Sequence, residues 1–431
     1  MIKSIIAFLI TLTVISCGSS SEDKEPIEEH AESSTSFPLY IENLDPDREL
    51  SAAMKRSFQQ YEAPRFLDNE LYSNFKYTRL AGLDYNNGDG TISRRDPSKV
   101  IFANGKYYMW YTHRETTTAP MGYASSNDSI PSVDWDLCEI WYATSKDGFT
   151  WEEQGVAVPR PPKPYPGHRS VATSDILFYK GKYYLYYQAF SEPSGNGKDE
   201  CPVAMSYADN PDGPWTPLNK IVVNFGDDDE WDHRVIHDPY PLVHNGKIYL
   251  YYKSGFDVRD AAGKHWDGAG LAIAESPEGP FEKHPLNPVM NSGHEVSLFP
   301  YKEGVAAIVT TDGLEHHTIQ YAKDWVNFEI ASVSTLLPIA AGPFSKDAFT
   351  DNPNADGITW GISHFINAGM DHSKFHSALV RFDCDLSKKT NDISLKRPYI
   401  YHSYDVYYKQ GLNENQRERI AKENEEVLKG N

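Results

Sequence analysis

Three stretches of the chain repeat one alternation of apolar and polar positions: RDPSKVIFANGKYYMWYT from Arg95, SDILFYKGKYYLYYQA from Ser174 and HDPYPLVHNGKIYLYYKSG from His237. Each runs from an acid through a short apolar segment and a Gly-containing turn into an aromatic, alternating strand. The Asn-Gly pairs at the first and third turns accept positive φ at both positions, which predicts two-residue β-hairpins. A second recurrent piece follows each hairpin: IWYATSKDGFTWEE from Ile140, VAMSYADNPDGPWTP from Val203, LAIAESPEGPFEK from Leu271 and TIQYAKDWVNFEI from Thr318. These read as a strand, a polar turn and a short outer strand, giving four strands per unit. The turn glycines Gly105, Gly181 and Gly246 lie 76 and 65 residues apart, a repeat size that suits propeller blades. A fourth unit opens at GHEVSLFPYKEGVAAIVTT and a degraded fifth at DGITWGISHFIN, followed by FHSALVRFDCD. The expected fold is all-β, a five-bladed β-propeller over residues 76–390.

The flanks do not repeat. In the 37–75 segment, LDPDRELSAAMKRSFQQYEAP offers Asp45 as N-cap and Pro46 at the first helical position. Leu50, Met54, Phe58 and Tyr61 form one stripe, and Pro64 is the stop, so a short N-terminal amphipathic helix is expected. In the 391–431 extension, LNENQRERIAKENEEVLKG presents only Leu412, Ile420, Val427 and Leu428 as apolar positions, the pattern of a peripheral helix. Residues 1–17 place Lys3 before an apolar run too short to serve as a membrane span, the architecture of an export signal. Its VISC end resembles a bacterial lipobox, which implies lipidation at Cys17 and an exported, lipid-anchored protein of the periplasm or outer membrane of a Gram-negative bacterium. Residues 18–36 are acidic and nearly free of apolar side chains, as expected of a solvated tether.

Composition narrows the partners. The 61 acids against 41 bases give a formal charge of −20, a surface that repels nucleic acid. The 28 tyrosines, 19 phenylalanines and 9 tryptophans suit strands and also sites that stack on sugar rings. Beyond Cys17, the three cysteines Cys138, Cys201 and Cys384 have no zinc-ribbon or disulfide-framework spacing; an oxidising compartment would permit one bridge.

In a propeller the innermost strand of each blade lines the central funnel, so the acids that begin these strands, Asp96, Asp175 and Asp238, with Glu295 at the matching place in the fourth unit, are expected to converge. Turn chemistry explains any one of them. Several around one axis repel each other and call for a function. Facing carboxyl groups are what glycosidic bond cleavage uses, and His237 and His294 add groups that titrate near neutrality. His168, Arg169, Thr173, Ser174 and Gln188 can bond hydroxyls, and Trp135 offers a stacking face.

The blade motifs RDPSKV, DWDLCEIWYATSKDGF, RPPKPYPGHRSV, GKYYLYYQ, HDPYPL and GHEVSLF join Ser51, Ala53 and Arg56 of SAAMKR, a Ser-x-Ala-x-x-Arg pattern. Together, from about Asp47 to about Asp385, they resemble glycoside hydrolase family 117, the α-1,3-(3,6-anhydro)-L-galactosidases that split neoagaro-oligosaccharides; family 43 is a more distant likeness. The resemblance implies an exo-acting, inverting hydrolase that removes 3,6-anhydro-L-galactose from the non-reducing end, as a homodimer exchanging its N-terminal helical element. It implies Asp96 as general base, Asp238 as the residue that holds and tunes the acid, His294 as general acid and Glu295 as its orienting partner. It places Trp135, Thr173, Ser174 and Gln188 against the sugar, and Asp175 and His237 stand with them as substrate-binding candidates. Carboxylates raise the pKa of a neighbouring imidazole, which suits a His acid; with Glu295 as the acid, its own pKa would need raising. No cofactor is required, although His and acid clustering would permit a divalent cation in the funnel. An arabinofuranosidase-like exo-hydrolase on the same propeller and a non-catalytic glycan-binding lipoprotein are the alternatives.

Overall fold

The computed structural model describes residues 49–56, 69–83, 89–195, 201–227, 230–233, 235–259, 265–313, 315–367 and 376–396. Its secondary structure is almost wholly antiparallel β. In the first sheet, Lys106–Glu115 pairs on one side with Ile92–Arg95 and Ile101–Ala103 and on the other with Glu139–Ser145, which pairs with Trp151–Val158. The second sheet runs Ser170–Tyr179, Lys182–Phe190, Val203–Ala208 and Thr216–Val223, and the third His237–His244, Lys247–Arg259, His265–Ala274 and Glu282–Lys283. A fourth meander follows through Ser297–Lys302, Gly304–Val309, Thr318–Ala322 and Glu329–Val333.

The hairpin turns form as the sequence predicts. Asn104–Gly105, Lys180–Gly181 and Asn245–Gly246 all have positive φ, from 49° to 83°, and each joins the two strands of an inner hairpin. Lys180 occupies this conformation without the Asn preference seen at the other two.

The aromatic strands are buried on both faces: Tyr108, Met109, Trp110 and Tyr111 have no exposed surface. The cause is that each sheet is covered by a neighbour on either side. Ile101 and Trp110 pack with Ile176 and Leu185 between the first and second sheets. Leu177 and Tyr186 meet Ile248 and Leu250, and Tyr240 and Leu242 meet Leu298 and Val305. Phe299 and Ile308 then meet Ile358 and Phe382, and Trp360 and Ile362 return to Met109 and Tyr111 of the first sheet. Sheets packed successively around a ring define a propeller.

The last unit departs from the sequence expectation. Its inner strand is Gly342–Pro343, which pairs with Ala355–Asn367, so DGITWGISHFIN supplies the second strand and not the first. Ala355–Asn367 pairs onward with His376–Ser387, whose outer edge is filled by Lys76–Arg79 from the start of the fold. Bridging pairs Tyr301↔Asp356 and Lys302↔Ala355 join this unit to the fourth meander.

The described N-terminal helix is Ala52–Arg56. Ser51 Oγ accepts from the Met54 amide at 3.3 Å and caps this helix; the expected cap Asp45, with Pro46, Phe58 and Tyr61, lies outside the described residues. The helix docks on its own chain. Ser51 Oγ donates to the Pro288 carbonyl at 2.7 Å, and the Arg56 guanidinium bonds both Glu315 carboxylate oxygens at 2.8 and 2.9 Å. Cys138, Cys201 and Cys384 are buried. Cys17 and the expected C-terminal helix lie outside the described residues.

Candidate active site

Five residues with left-handed backbone converge on one axial cavity of ≈ 30 Å³: Asp96 (φ 50°), Thr173 (45°), Asp238 (51°), Glu295 (58°) and Ala340 (44°). A non-glycine residue in this region is strained and persists where its surroundings over-determine it. Here the chain leaves the β-ladder at the head of each inner strand, with register shifts between Ala172 and Asp175 and between His237 and Tyr240. The cavity has room for a water molecule.

This equivalence corrects the sequence alignment of the second unit. Thr173, not Asp175, is the counterpart of Asp96, Asp238 and Glu295. Thr173 precedes Gly181 by the same eight residues that separate Asp238 from Gly246, a spacing that the attraction of the acid at 175 obscured. Asp175 still borders the cavity, but its Oδ1 accepts from the Lys99 amide at 2.8 Å and its Oδ2 from the Lys99 ammonium. Lys99 lies 3.8 Å from the Tyr240 ring centroid. Burial pulls the Lys99 pKa down to about 8 and pushes that of Asp175 up, with their mutual attraction opposing both shifts.

Asp96 is held differently. Its Oδ2 accepts from Arg95 Nε at 2.8 Å, Thr173 Oγ1 at 3.1 Å and Thr112 Oγ1 at 3.3 Å. Its Oδ1 is buried and has no hydrogen-bond partner among the described residues. Burial raises the pKa of Asp96, but the charge of Arg95, the nearby His364 and the bonds from Arg95 and Thr173 outweigh it, leaving the carboxyl below its ordinary value. Arg95 also reaches Asp134 at 3.3 Å and Glu295 at 3.4 Å, and its guanidinium lies 5.1 Å from the Trp135 ring centroid. A single guanidinium therefore ties the first blade head to the fourth.

Asp238 bridges the second and fourth units: its Oδ1 accepts from Gln188 Nε2 at 3.0 Å and its Oδ2 from the Glu295 amide at 3.2 Å. Next to Glu295, His294 ends the strand Ser292–His294. Its side chain is 38% exposed, with Nε2 3.8 Å from Glu295 Oε1, so it reaches solvent while its carboxylate neighbour is buried. Trp135 is half-buried against Ala172, Phe190 and Cys201, and His237 flanks the same Phe190 at 6.1 Å between rings. Ser174 lines the cavity with a buried hydroxyl that has no hydrogen-bond partner among the described residues.

Two of the residues expected to bond hydroxyls are used elsewhere. Arg169 makes a two-pronged bond to Asp136 at 2.7 and 2.6 Å, which fixes the loop carrying Trp135. His168 Nδ1 donates to the Tyr165 carbonyl at 3.1 Å. Residues with no mark in the sequence reading enter the site: Arg95, Lys99 and His364. Arg95 and Lys99 bracket Asp96 in RRDPSK, and cations flanking an acid at the head of an inner strand are the signal for them.

His364 Nδ1 accepts from the Asp96 amide at 3.1 Å, so its proton resides on Nε2. Burial lowers its pKa and keeps the ring neutral. Asp96, Glu295 and His364 bring one ligand atom each to within 4.8 Å of one another. The Asp96 amide occupies the Nδ1 lone pair and leaves the proton on Nε2, so His364 has no lone pair to offer, and with the Arg95 charge against both carboxylates the three residues do not fit a divalent cation.

Acids and a histidine gathered at the axial mouth of a propeller define a glycoside hydrolase site. Residues 95–264 match the family model described as glycosyl hydrolases family 43. Zg3597, a family 117 glycoside hydrolase produced by the marine bacterium Zobellia galactanivorans, is 59% identical. The similarity covers 80% of this chain and 100% of that one, with a TM-score of 0.75. This chain belongs to glycoside hydrolase family 117. The catalytic domain of the Coprinopsis cinerea GH62 α-L-arabinofuranosidase shares the fold at 10% identity, TM-score 0.50, over 75% of this chain and 100% of that one. No curated protein sequence matches.

Proposed function

We propose that this glycoside hydrolase removes 3,6-anhydro-L-galactose from the non-reducing end of neoagarobiose and short neoagaro-oligosaccharides, with inversion, in the degradation of agar. The observation that carries the reading is Asp96: a buried carboxylate, kept ionised by Arg95, with one oxygen that has no hydrogen-bond partner among the described residues, beside a water-sized space. That oxygen takes a proton from the attacking water as general base. His294, open to solvent beside Glu295, delivers a proton to the leaving oxygen, and Glu295 stabilises the imidazolium that does so. Asp238 sets the placement of this pair through the Glu295 amide and holds Gln188 ready for a sugar hydroxyl. Trp135 and His237 form the wall against which the ring stacks, with Thr173 and Ser174 as hydroxyl partners.

Further parts of the reading stand beside it. Five blades are supported by the five strained heads around the cavity and by the apolar clusters joining each sheet to the next. Export, lipidation at Cys17 and residence in the periplasm or outer membrane rest on residues 1–17, and loss of membrane attachment in Cys17→Ala tests them. A homodimer exchanging the N-terminal helical segment of residues 37–75 rests on the SAAMKR motif; a light-scattering mass of one subunit would refute it.

The decisive experiment incubates the chain lacking residues 1–35 with neoagarobiose and follows products by proton NMR. Appearance of galactose and anhydrogalactose, abolished in Asp96→Asn and His294→Ala, supports the reaction and both roles. A folded enzyme that leaves neoagarobiose intact, but releases arabinose from arabino-oligosaccharides, would replace this substrate class.

A further inference from the structure

We propose that the cleft between the first and second sheets is a second, non-catalytic sugar site, selective for a saccharide unit bearing an anionic group. The cleft encloses ≈ 300 Å³, and Arg160, Tyr165, Tyr187, Ser206, Trp215 and Lys220 line it together with a largely apolar, proline-rich remainder. None of its lining residues is acidic, on a chain whose formal charge is −20. A cationic recess on an acidic protein selects its ligand by local charge against the repulsion of the whole.

Two hydrogen-bond donors in its wall, Arg160 Nε and Trp215 Nε1, are buried without a partner among the described residues. Buried donors left unpaired are costly, and an acceptor-rich ligand satisfies them. Arg160 is already oriented, because its Nη1 donates to the Arg169 carbonyl at 3.4 Å.

Tyr165 supplies the stacking surface. The residue is 42% exposed, yet its backbone is pinned: its amide donates to the Pro162 carbonyl at 3.1 Å, and its own carbonyl accepts from the His168 amide and ring. An exposed aromatic on a proline-rich, internally bonded loop presents its face without an ordering cost.

The cleft and the funnel are separate. Tyr187 and Gln188 are consecutive on the strand Lys182–Phe190, so their side chains leave opposite faces of the sheet. Tyr187 faces the cleft while Gln188 bonds Asp238. Both sites can be filled at once, and the cleft tethers the enzyme to a charged polysaccharide while the funnel works on a chain end.

The test is calorimetric titration of the full chain with galactose 6-sulfate, galacturonic acid and uncharged galactose, using galactose as scaffold because of the substrate class proposed above. The expected result is binding of one or both anionic sugars at least tenfold tighter than galactose, the stronger of the two identifying sulfate ester or carboxylate as the group recognised. Arg160→Gln with Lys220→Gln should weaken that binding at least tenfold while thermal midpoint and hydrolytic rate stay unchanged. Tyr165→Ala should weaken binding of charged and uncharged sugars alike. Failure of both anionic sugars to bind, equal binding of galactose, or anion binding that survives in the double variant would overturn the proposal.

Discussion

Asp96 and Asp175 border the same cavity, are 2% and 3% exposed and each face a buried cation, yet their chemistry diverges. Lys99 engages both oxygens of Asp175. Arg95 and two threonines crowd onto one oxygen of Asp96 and leave the other without a hydrogen bond among the described residues. Their pKa values move in opposite directions, Asp96 down and Asp175 up, because burial is overcome by charge and hydrogen bonds in the first case and not in the second. Depth and proximity to the axis do not make an acid a base; an ionised group with an uncommitted lone pair does.

The sharpest way to break this comparison is to remove each charge in turn. Asp96→Asn should lower kcat/KM by about 10³-fold or more, the upper part of the range for a general base, with an unfolding curve close to wild type. Asp175→Asn should invert the pattern. It strands the Lys99 ammonium in the core at a cost of about 3–5 kcal/mol in unfolding free energy, while the folded fraction keeps its turnover within about tenfold. Urea denaturation paired with steady-state rates reads both, and an active-site loss without instability in Asp175→Asn would put Asp175 in the chemistry.

The proton donor offers a second test. His294→Gln should slow substrates with a poor leaving group by about 10²-fold and spare those with an activated aryl leaving group; equal losses on both would remove His294 from the acid role.

A smaller effect concerns stability against pH, away from the funnel. His113 stacks on Trp141 at 3.9 Å between ring centroids, and burial, aided by Arg94, lowers its pKa to about 4. The unfolded chain takes up this proton near pH 6.5 and the folded one only near pH 4. His113 therefore favours folding fully above pH 6.5, and its contribution falls as the pH drops through that window, by on the order of 3 kcal/mol. Thermal melts between pH 7 and 4 should show His113→Gln with a flatter profile. The mildest change expected is Trp135→Ala, a rise in KM of about tenfold from lost stacking with kcat nearly kept.

Much of the architecture was legible because its turns are chemically explicit. Asn104–Gly105 and Asn245–Gly246 announce hairpins, and the aromatic strands after them repeat clearly enough to set the period. The last unit was misplaced because AAGPF, which begins its inner strand, has neither aromatic alternation nor a polar head; its equivalence rests on the left-handed Ala340. Asp96, Asp238, His294 and Glu295 were visible as acids or acid-histidine pairs at strand heads. Asp175 misled because residue type was followed where spacing to the turn glycine was the better guide. His364 carried no local signal, being one of three polar residues within GISHFIN, and only packing across the ring brings it to Asp96.

The pairing of Lys76 with Asp383 sets an order on how the molecule comes into being. Synthesis proceeds from the N-terminus, so the strand Lys76–Arg79 emerges early and its partner at 380–383 some three hundred residues later. Until then an unpaired edge waits on the nascent chain, and the loop to be closed is among the longest the sequence allows, the kind of contact that slows folding. Closure of the ring is a late event, and a ribosome-stalled or truncated chain would display an open edge that invites pairing with another copy.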